Sequence, residues 1–452
     1  MANSPPPSIA PIGQHAANSV AARLDGLPLS GWHRRMVVLI GLGSFCNLFE
    51  IALGPFLGVL LGAQWSLSTL DRAMVIGALF LGEMIGSLLL APLADRFGRR
   101  LLFQVNLLTY AVLSVATAFA PDLGVFLVLR LLTGIGLGAE LTLVDTYLSE
   151  LLPRGRRGRY VAWSYTIGLL AVPVAGVLAT AASTTIAGLA GWRWLLILAA
   201  CSGLAVWLLR RRSPESPRWL AATGHTAEAD RIVAEIEREV APARPAEPAA
   251  PPAAIADPPP AARYRRRAAL MWVMQIASPV GFYAFASIAP IVLLAKGFDL
   301  THSLMYSALT ALGYPLGSLV SVYLTERVER RTLLIVSTLA AAVFGVAFGL
   351  ATNITVVVIA GIATSVSTVM QSNFTHIYQA ELFHTTNRST AIGIPYAASR
   401  LVGALLPLAA LSLLAAIGSS GLYTCCAILL GATALTIRLL GPRTNNQQLD
   451  TI

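Results

Sequence analysis

The chain has 452 residues, of which 56% are hydrophobic and 12% carry a charge, and its formal net charge is +10. About a quarter of the residues of a soluble globular protein are charged, so this composition excludes an ordinary soluble protein and indicates a polytopic membrane protein. The positive charge alone would suit nucleic acid, but the arginines fall between apolar segments, so we expect no nucleic-acid partner.

The first 31 residues are rich in Pro, Ala and Ser and lack a long apolar core. They predict a disordered tail and no cleavable signal peptide. A helix that spans a bilayer needs about 20 mostly apolar residues. Twelve segments meet this criterion: residues 36–61, 73–94, 101–120, 123–148, 160–182, 192–209, 268–294, 303–324, 333–351, 354–380, 390–416 and 422–440. The predicted fold is an all-α membrane protein with twelve transmembrane helices in two pseudo-symmetric six-helix bundles.

A long polar linker, residues 211–267, separates the predicted halves, residues 32–210 and 268–440. Within it, the amphipathic stretch 226–240 predicts a surface helix, and a Pro/Ala-rich part predicts an extended connection. The arginine-rich loops fall at alternate ends of the apolar segments, all on one side of the membrane. This bias predicts that the linker and both termini, including the tail 441–452, are cytoplasmic in a bacterial-type inner membrane.

The fourth apolar segment carries unusual residues at Arg130, Gly134, Gly138, Glu140 and Asp145. Small residues at helical spacing let a second helix approach closely in lipid. Charges within the hydrocarbon region are costly and usually mark a substrate or ion path. This helix is therefore predicted to combine close packing with function.

The two halves repeat one another in sequence. LADRFGRRLLF (residues 93–103) parallels LTERVERRTLL (324–334), and YLSELLPRGRRG (147–158) parallels YQAELFHTTNRS (378–389). Transporters built from such repeats hold their substrate between the repeats, near the middle of the membrane. We therefore expect the binding site at the interface of the halves.

These motifs resemble those of the major facilitator superfamily of secondary transporters, and the resemblance extends over about residues 32–440. ADRFGRR (residues 94–100) is similar to the loop signature of the superfamily, and RLLTGIGLG (130–138) to its fourth-helix motif. YLSELLPRGRRG and PESPRWL (214–220) resemble the group of sugar porters, organic-ion carriers and metabolite:proton symporters. The resemblance implies a carrier that works by alternating access.

Within this group, the chain departs from sugar porters, because Ala277 and Ser278 replace their paired glutamines and Tyr283 replaces their asparagine. GLGAELTLVDTYLSE (residues 136–150) more closely resembles metabolite:proton symporters of the niacin, aromatic-acid and synaptic-vesicle-like branch. Related organic-anion carriers have an arginine at the position of Arg400. The resemblance therefore implies an anionic substrate.

Two charged candidates carry the predicted chemistry. Glu50 lies on the first helix, where the resemblance implies a proton-coupling acid. We expect it to pair with Arg130, so that protonation of Glu50 releases Arg130 and couples protons to transport. The alternative is a static buried ion pair that fixes helix packing. Arg400 is expected to bind a substrate carboxylate in bidentate fashion. Its alternatives are pairing with an acid of the bundle or capping backbone carbonyls.

Other candidates form three groups. The polar group has interhelical hydrogen bonding as its structural alternative, and the aromatic group has lipid-facing or core packing. The polar candidates for substrate binding are Asn47, Gln275, Asn373 and His376, and the aromatic candidates for a wall against a ring are Phe49, Trp163, Trp272, Phe282 and Tyr283. The candidates for a cytoplasmic gate are Asp95, Arg96, Arg99, Glu140, Asp145, Glu150, Arg157, Glu326, Glu381 and Arg388. For Glu140 and Asp145 the alternative is a proton relay. For Glu83 we expect only a pairing or packing role.

We find no P-loop, metal-spaced His/Cys cluster or nucleophile elbow in the sequence, so we expect no enzyme, metal or cofactor. The predicted function is proton-coupled import of a small organic acid by a monomer, and the predicted substrate is an aromatic monocarboxylate such as nicotinate. The alternatives are a proton-driven efflux pump for drugs or metabolites, a sugar-type symporter, and a non-transporting receptor on a carrier fold.

Overall fold

The computed structural model describes residues 20–153, 157–240, 261–325, 327–382 and 388–442. These residues are almost entirely helical, apart from a short antiparallel hairpin of β1 (Thr185–Ile186) and β2 (Leu189–Ala190). The helices are α1 (20–26), α2 (Gly31–Trp65), α3 (Thr69–Phe97), α4 (Arg99–Ala118), α5 (Leu123–Leu137), α6 (Glu140–Leu151), α7 (Arg157–Leu169), α8 (Ala171–Ala181), α9 (Gly191–Arg210), α10 (Pro217–Ala222), α11 (Thr226–Val240), α12 (Ala261–Ala286), α13 (Ala289–Ala295), α14 (Leu300–Ala311), α15 (Gly313–Thr325), α16 (Arg330–Leu350), α17 (Ile354–Leu382) and α18 (Arg388–Leu440).

The helical content confirms the predicted fold class. Within the described ranges, 10 helices are long and apolar enough to cross a membrane. The chain turns inside α18 at Gly418, whose φ of 69° is left-handed, so α18 contains the two last predicted segments. The shorter α5 is continued by α6 after a break at Gly138, and together they form the fourth predicted segment.

Three other predicted segments are each divided into two helices, and a proline explains each of these divisions. Pro173, Pro290 and Pro315 lack the N–H that would bond to the carbonyl four residues earlier. In each case that earlier residue is the last of the preceding helix: Leu169 of α7, Ala286 of α12 and Ala311 of α14. Proline alone does not impose a break, because other prolines lie inside continuous helices such as α2 and α3.

Glycines bring α3 and α5 into backbone contact, as the small residues of the fourth segment predicted. A Cβ atom at Gly134 would overlap the carbonyl oxygen of Leu79, and one at Gly82 would overlap the carbonyl oxygen of Leu131. Only glycine allows this approach in the absence of a shift of the two helices.

The two halves meet along four helix pairs: α2 with α13, α3 with α18, α7 with α15 and α8 with α14. The linker contributes α10 and α11 on the N-terminal half, and α11 covers residues 226–240 as predicted. Its buried apolar face includes Ile232, Val233 and Ile236, which join a cluster with Tyr147 and Leu148 of α6.

The prediction of a disordered tail over residues 1–31 is wrong from residue 20 onward. Residues 20–26 form α1, and Val20 and Leu24 are buried against the cluster beneath α11. Arg23 adds ion pairs of 2.8 Å to both Asp230 and Glu237 of α11. The apolar and charged contacts of α1 depend on a linker helix some 200 positions later, which explains why local composition missed them. The parts of the tails and linker at residues 1–19, 241–260 and 443–452 lie outside the described residues.

Candidate functional site

A cavity of about 650 Å³ lies between the two halves. Helices α6 and α7, together with Leu48 of α2, line it from the N-terminal half, and α12, α17 and α18 line it from the C-terminal half. It reaches Arg157 and Gly158 at the start of α7, the end of the bundle that carries the arginine-rich loops. At the opposite end α8 and α14 are in contact, since a Cβ at Gly176 would stand 2.6 Å from the Cβ of Ala308. The cavity is therefore open toward the arginine-rich end and closed at the other.

Arg400 lies in the cavity wall, where the sequence predicted it. Its Nη1 donates to Oε2 of Glu83 at 3.1 Å and to the hydroxyl of Tyr283 at 3.2 Å. Arg400 is 8% exposed and Glu83 is 2% exposed. Because Glu83 belongs to α3 and Arg400 to α18, this ion pair ties the two halves together. The pairing expected of Glu83 is thus found, with a partner that sequence reasoning did not identify.

The predicted pair of Glu50 and Arg130 is also present, and both side chains are fully buried. Arg130 donates to the carboxylate of Glu50, and its Nη2 donates to the Glu50 backbone oxygen at 3.2 Å. Neither residue lines the cavity. The geometry fits a proton-coupling pair beside the site as well as a static packing pair.

Three of the four polar candidates line the cavity, namely Gln275, Asn373 and His376. Nε2 of Gln275 donates to Oε1 of Gln379 at 2.7 Å, and the Gln379 amide lies 3.1 Å from Nδ1 of His376. Asn373 donates to Oγ of Ser321 at 2.6 Å. Gln275, Gln379 and His376 therefore form a hydrogen-bonded row on the wall of the C-terminal half, whereas Asn373 is bonded separately to Ser321.

The fourth polar candidate, Asn47, lies outside the cavity lining. Its Nδ2 approaches Oε1 of Glu83 at 3.5 Å and the carbonyl oxygen of Leu137 at 3.4 Å. Asn47 therefore positions the carboxylate of Glu83 and does not reach the cavity.

Two of the five aromatic candidates, Phe282 and Tyr283, line the cavity. The ring of Tyr283 packs edge-on against Phe80 of the N-terminal half with centroids 4.7 Å apart. Opposite them, Tyr165 of α7 stacks on His376 with centroids 6.5 Å apart and donates its hydroxyl to Asp145 at 3.2 Å. Sequence reasoning missed Tyr165. Tyr165 could have been identified from its position on α7, because it lies three and four residues from small or apolar residues that also line the cavity.

The other three aromatic candidates are corrected by the structure. Phe49 is buried in the core, stacked on Phe45 at 6.0 Å. Trp163 is 40% exposed, because it is rotated about 100° along α7 from the cavity position Ala162. Trp272 is 41% exposed and lies one turn of α12 before Gln275, outside the cavity lining.

Four gate candidates of the N-terminal half form a network at the arginine-rich end, namely Asp95, Arg99, Glu150 and Arg157. Nη2 of Arg99 contacts Asp95 at 2.9 Å and Glu150 at 3.1 Å. The carboxylate of Asp25, in α1, accepts from both Arg157 at 2.7 Å and Arg218 at 2.9 Å. The N-terminal segment and the linker thus take part in the network.

A linker acid, Glu215, also belongs to this network. Its carboxylate accepts from the backbone N–H groups of Arg99 at 3.0 Å, Arg100 at 3.1 Å and Ser216 at 2.8 Å. Burial raises the pKa of Glu215, while these donors oppose the shift. The linker is therefore bound to the start of α4.

The remaining gate candidates have different placements. Arg96 lies over the ring of Phe97, with its guanidinium carbon 5.3 Å from the centroid. Glu140 does not join the predicted gate network, because it forms a fully buried ion pair of 2.8 Å with Arg210. Asp145 lines the cavity. Glu326 lies outside the described residues, as do the side chains of Glu381 and Arg388.

Comparison with known proteins adds three findings. Residues 42–452 match the sequence model of a family described as "Sugar (and other) transporter". The chain is 28% identical to the putative metabolite transport protein YyaJ of Bacillus subtilis (strain 168), over 96% of this chain and 98% of that protein. It is 25% identical to the niacin transporter NiaP of Acinetobacter baylyi, over 96% of this chain and 99% of that protein.

Among solved structures, the fold is similar to the partially occluded inward open conformation of the xylose transporter XylE from E. coli. The TM-score is 0.74 at 17% identity, and the alignment covers 93% of this chain and 100% of that chain. At this identity the likeness concerns the fold alone.

Proposed function

This chain belongs to the sugar (and other) transporter family within the major facilitator superfamily, and from that premise we propose that it imports a small organic acid together with protons. Members of this family are multi-pass membrane transporters and not enzymes. We further propose a monomer in a bacterial inner membrane, with both termini and the arginine-rich end in the cytoplasm.

The observation that carries this proposal is the guanidinium of Arg400 in the wall of the cavity between the halves. An arginine in a low-dielectric site binds a carboxylate through charge-assisted, bidentate hydrogen bonds. Phe282 and Tyr283 lie in the same wall and offer ring faces and edges to an aromatic group. Our proposed substrate is therefore an aromatic monocarboxylate such as nicotinate, and the likeness to a niacin transporter supports this choice.

Proton coupling is assigned to Glu50 and Arg130. In the deprotonated state their buried ion pair holds α2 against α5. A proton on Glu50 removes its electrostatic attraction to Arg130, and Arg130 then donates its hydrogen bonds to other acceptors. The N-terminal half can therefore rearrange more easily. The two halves then rock about the cavity, so that it opens at alternate ends.

A sugar-type symporter is the second candidate, and a specific observation favours it. Gln275, Asn373 and Gln379 bring three amide groups to the cavity wall, and amides suit sugar hydroxyl groups. Gln275 and Gln379, however, are hydrogen-bonded to each other. An efflux pump would use the same cavity in the opposite direction.

Purified protein in proteoliposomes, with the outside more acidic, tests these alternatives. We expect accumulation of labelled nicotinate or benzoate, little accumulation of labelled xylose, and loss of anion uptake in Arg400→Ala. Arg231→Ala is the control, because Arg231 lies exposed on α11 and is not among the residues that line the cavity. Preferential uptake of xylose would establish the sugar alternative, and net anion exit from preloaded cells would establish efflux.

The role of Glu50 is tested in the same vesicles. Glu50→Gln should lose accumulation driven by the proton gradient but keep exchange of labelled for unlabelled anion, since exchange needs no net proton movement. Accumulation equal to that of the wild type would contradict coupling through Glu50.

A further inference from the structure

Glu83 is a buried acid that the proposed mechanism leaves without a task. It lies in the middle of α3, within an otherwise apolar sequence, and its carboxylate accepts from Nη1 of Arg400 at 3.1 Å. The same nitrogen donates to Tyr283, and Asn47 approaches the other carboxylate oxygen at 3.5 Å. The carboxylate of Glu83 in the N-terminal half is thus bound to the guanidinium of Arg400, which faces the cavity from the C-terminal half.

The surroundings of Glu83 hold two positive charges. Arg400 faces it from α18, and Arg130 of α5 is close enough to act on it electrostatically. Arg130 is itself paired with Glu50 of α2, so the four side chains alternate in sign as Glu50, Arg130, Glu83 and Arg400 and carry a formal charge of zero. Asn47 and Tyr283 are the neutral polar groups beside them, and Glu140 of the neighbouring α6 is taken up by Arg210.

We propose that Glu83 occupies the anion site in the substrate-free carrier, and that an incoming carboxylate displaces it from Arg400 while Glu83 takes up a proton. This inference rests on the proposed function, because it requires an organic anion at Arg400. It assigns Glu83 as the residue at which substrate and proton compete.

Charge balance requires the proton. An anion that binds Arg400 in bidentate fashion uses the donors now facing Glu83, and a carboxylate left without a partner in a buried site is strongly unfavourable. Protonation of Glu83 removes that penalty. The anion adds one negative charge and the proton one positive charge, so the buried cluster remains at zero.

The exchange also has a mechanical consequence. The Glu83–Arg400 pair joins α3 to α18, which belong to opposite halves. When substrate replaces Glu83, this tie is released, and the halves become free to separate there. Substrate and proton binding are in this way linked to the rearrangement that opens the cavity to the other side.

The test is the dissociation constant of benzoate and nicotinate for the purified carrier in detergent, measured at a series of pH values at which both probes are fully ionised. Uptake of one proton per bound anion makes the wild-type affinity fall about tenfold for each unit that the pH rises. Glu83→Gln should bind about tenfold more tightly at the upper end of the range, because its competing charge is gone, and should show no slope.

Glu140→Gln is the matched control, since it also removes the acid of a buried ion pair but lies outside the cavity lining. It should keep the wild-type affinity and slope. If Glu83→Gln fails to fold, the wild type decides the question alone, because a dissociation constant independent of pH contradicts proton exchange at Glu83. Wild-type protein that binds no carboxylate would contradict the proposed function and this inference together, whereas normal binding without a slope contradicts only the inference.

Discussion

At the residue scale, the fully buried charges occur as ion pairs of opposite sign. Glu50 and Arg130 are both fully buried, and so are Glu140 and Arg210 to within 1%. Each ion loses its hydration, and the attraction of its partner only about offsets that loss. Such pairs add little net stability, but removal of one partner leaves an isolated buried charge and is strongly unfavourable.

This asymmetry gives a prediction for the pair that carries the proposed coupling. Arg130→Gln should lower the free energy of unfolding by about 3–5 kcal/mol, because Glu50 is left without its partner. Glu50→Gln/Arg130→Gln removes both charges and should recover much of that loss. Denaturant unfolding in detergent micelles measures both variants.

Transport by the double variant then separates the two readings of the pair. If the pair couples protons, the double variant folds but does not accumulate anion against its gradient in proteoliposomes. Normal acid-driven accumulation by this variant would show that the pair serves packing alone.

At the element scale, short helices outside the membrane take part in the network at the arginine-rich end. α1 is held on α11 by the pairs of Arg23 with Asp230 and Glu237 and by two buried apolar side chains. Neither helix is long enough to be stable alone in water. Their order depends on this mutual contact and on the helices beneath them.

The contact predicts a pH dependence for the docking of α1. The Arg23 guanidinium, which bonds to Glu237, holds the pKa of that carboxyl below its usual value. The stabilisation is therefore present above the usual glutamate pKa and is lost as the pH falls through the lowered one. Hydrogen exchange of residues 20–26, corrected for intrinsic rates, should be slow at neutral pH and should accelerate on acidification.

Glu237→Gln provides the control for this experiment. It should show faster exchange of residues 20–26 already at neutral pH, with a smaller further change on acidification. Equal exchange in the variant and the wild type at neutral pH would show that the apolar contacts of Val20 and Leu24 suffice to hold α1.

At the scale of the whole molecule, the structure is a carrier in one state of its cycle. The halves are in contact at the end where α8 meets α14, and the cavity opens at the arginine-rich end. Gly176 permits the closure, because its position leaves no room for a side chain beside Ala308. The opposite state requires this contact to separate.

A larger residue at this glycine should therefore shift the balance between states. Gly176→Leu is expected to destabilise the contact between α8 and α14 by about 1–3 kcal/mol, because the added side chain overpacks it. This cost changes the ratio of the two conformational states by roughly 5- to 150-fold. Hydrogen exchange in α8 and α14 should increase and anion uptake should slow. Gly431→Leu is the control, since a Cβ there meets nothing within 4 Å. Unchanged hydrogen exchange and uptake in Gly176→Leu would contradict the assignment of the contact between α8 and α14 as a gate.

Several features were determined by the sequence itself. The apolar segments, the amphipathic helix at residues 226–240 and the small residues between α3 and α5 all followed from composition and spacing. The pairing of Glu50 with Arg130 was predicted from the family resemblance, which implies a proton-coupling acid on the first helix, and from the cost of an unpaired charge in an apolar segment. Such features depend on the composition of one helix or on the need of a buried charge for a partner of opposite sign.

Other features were decided only by the tertiary structure. Glu83 and Arg400 are 317 positions apart, and their contact depends on how the two halves are packed. The placement of Trp163 outside the cavity and of Glu140 on Arg210 depends on the rotation of single helices, where one residue corresponds to about 100°. The sequence establishes that a buried charge or ring needs a neighbour, but the register and rotation of packed helices decide which neighbour it meets.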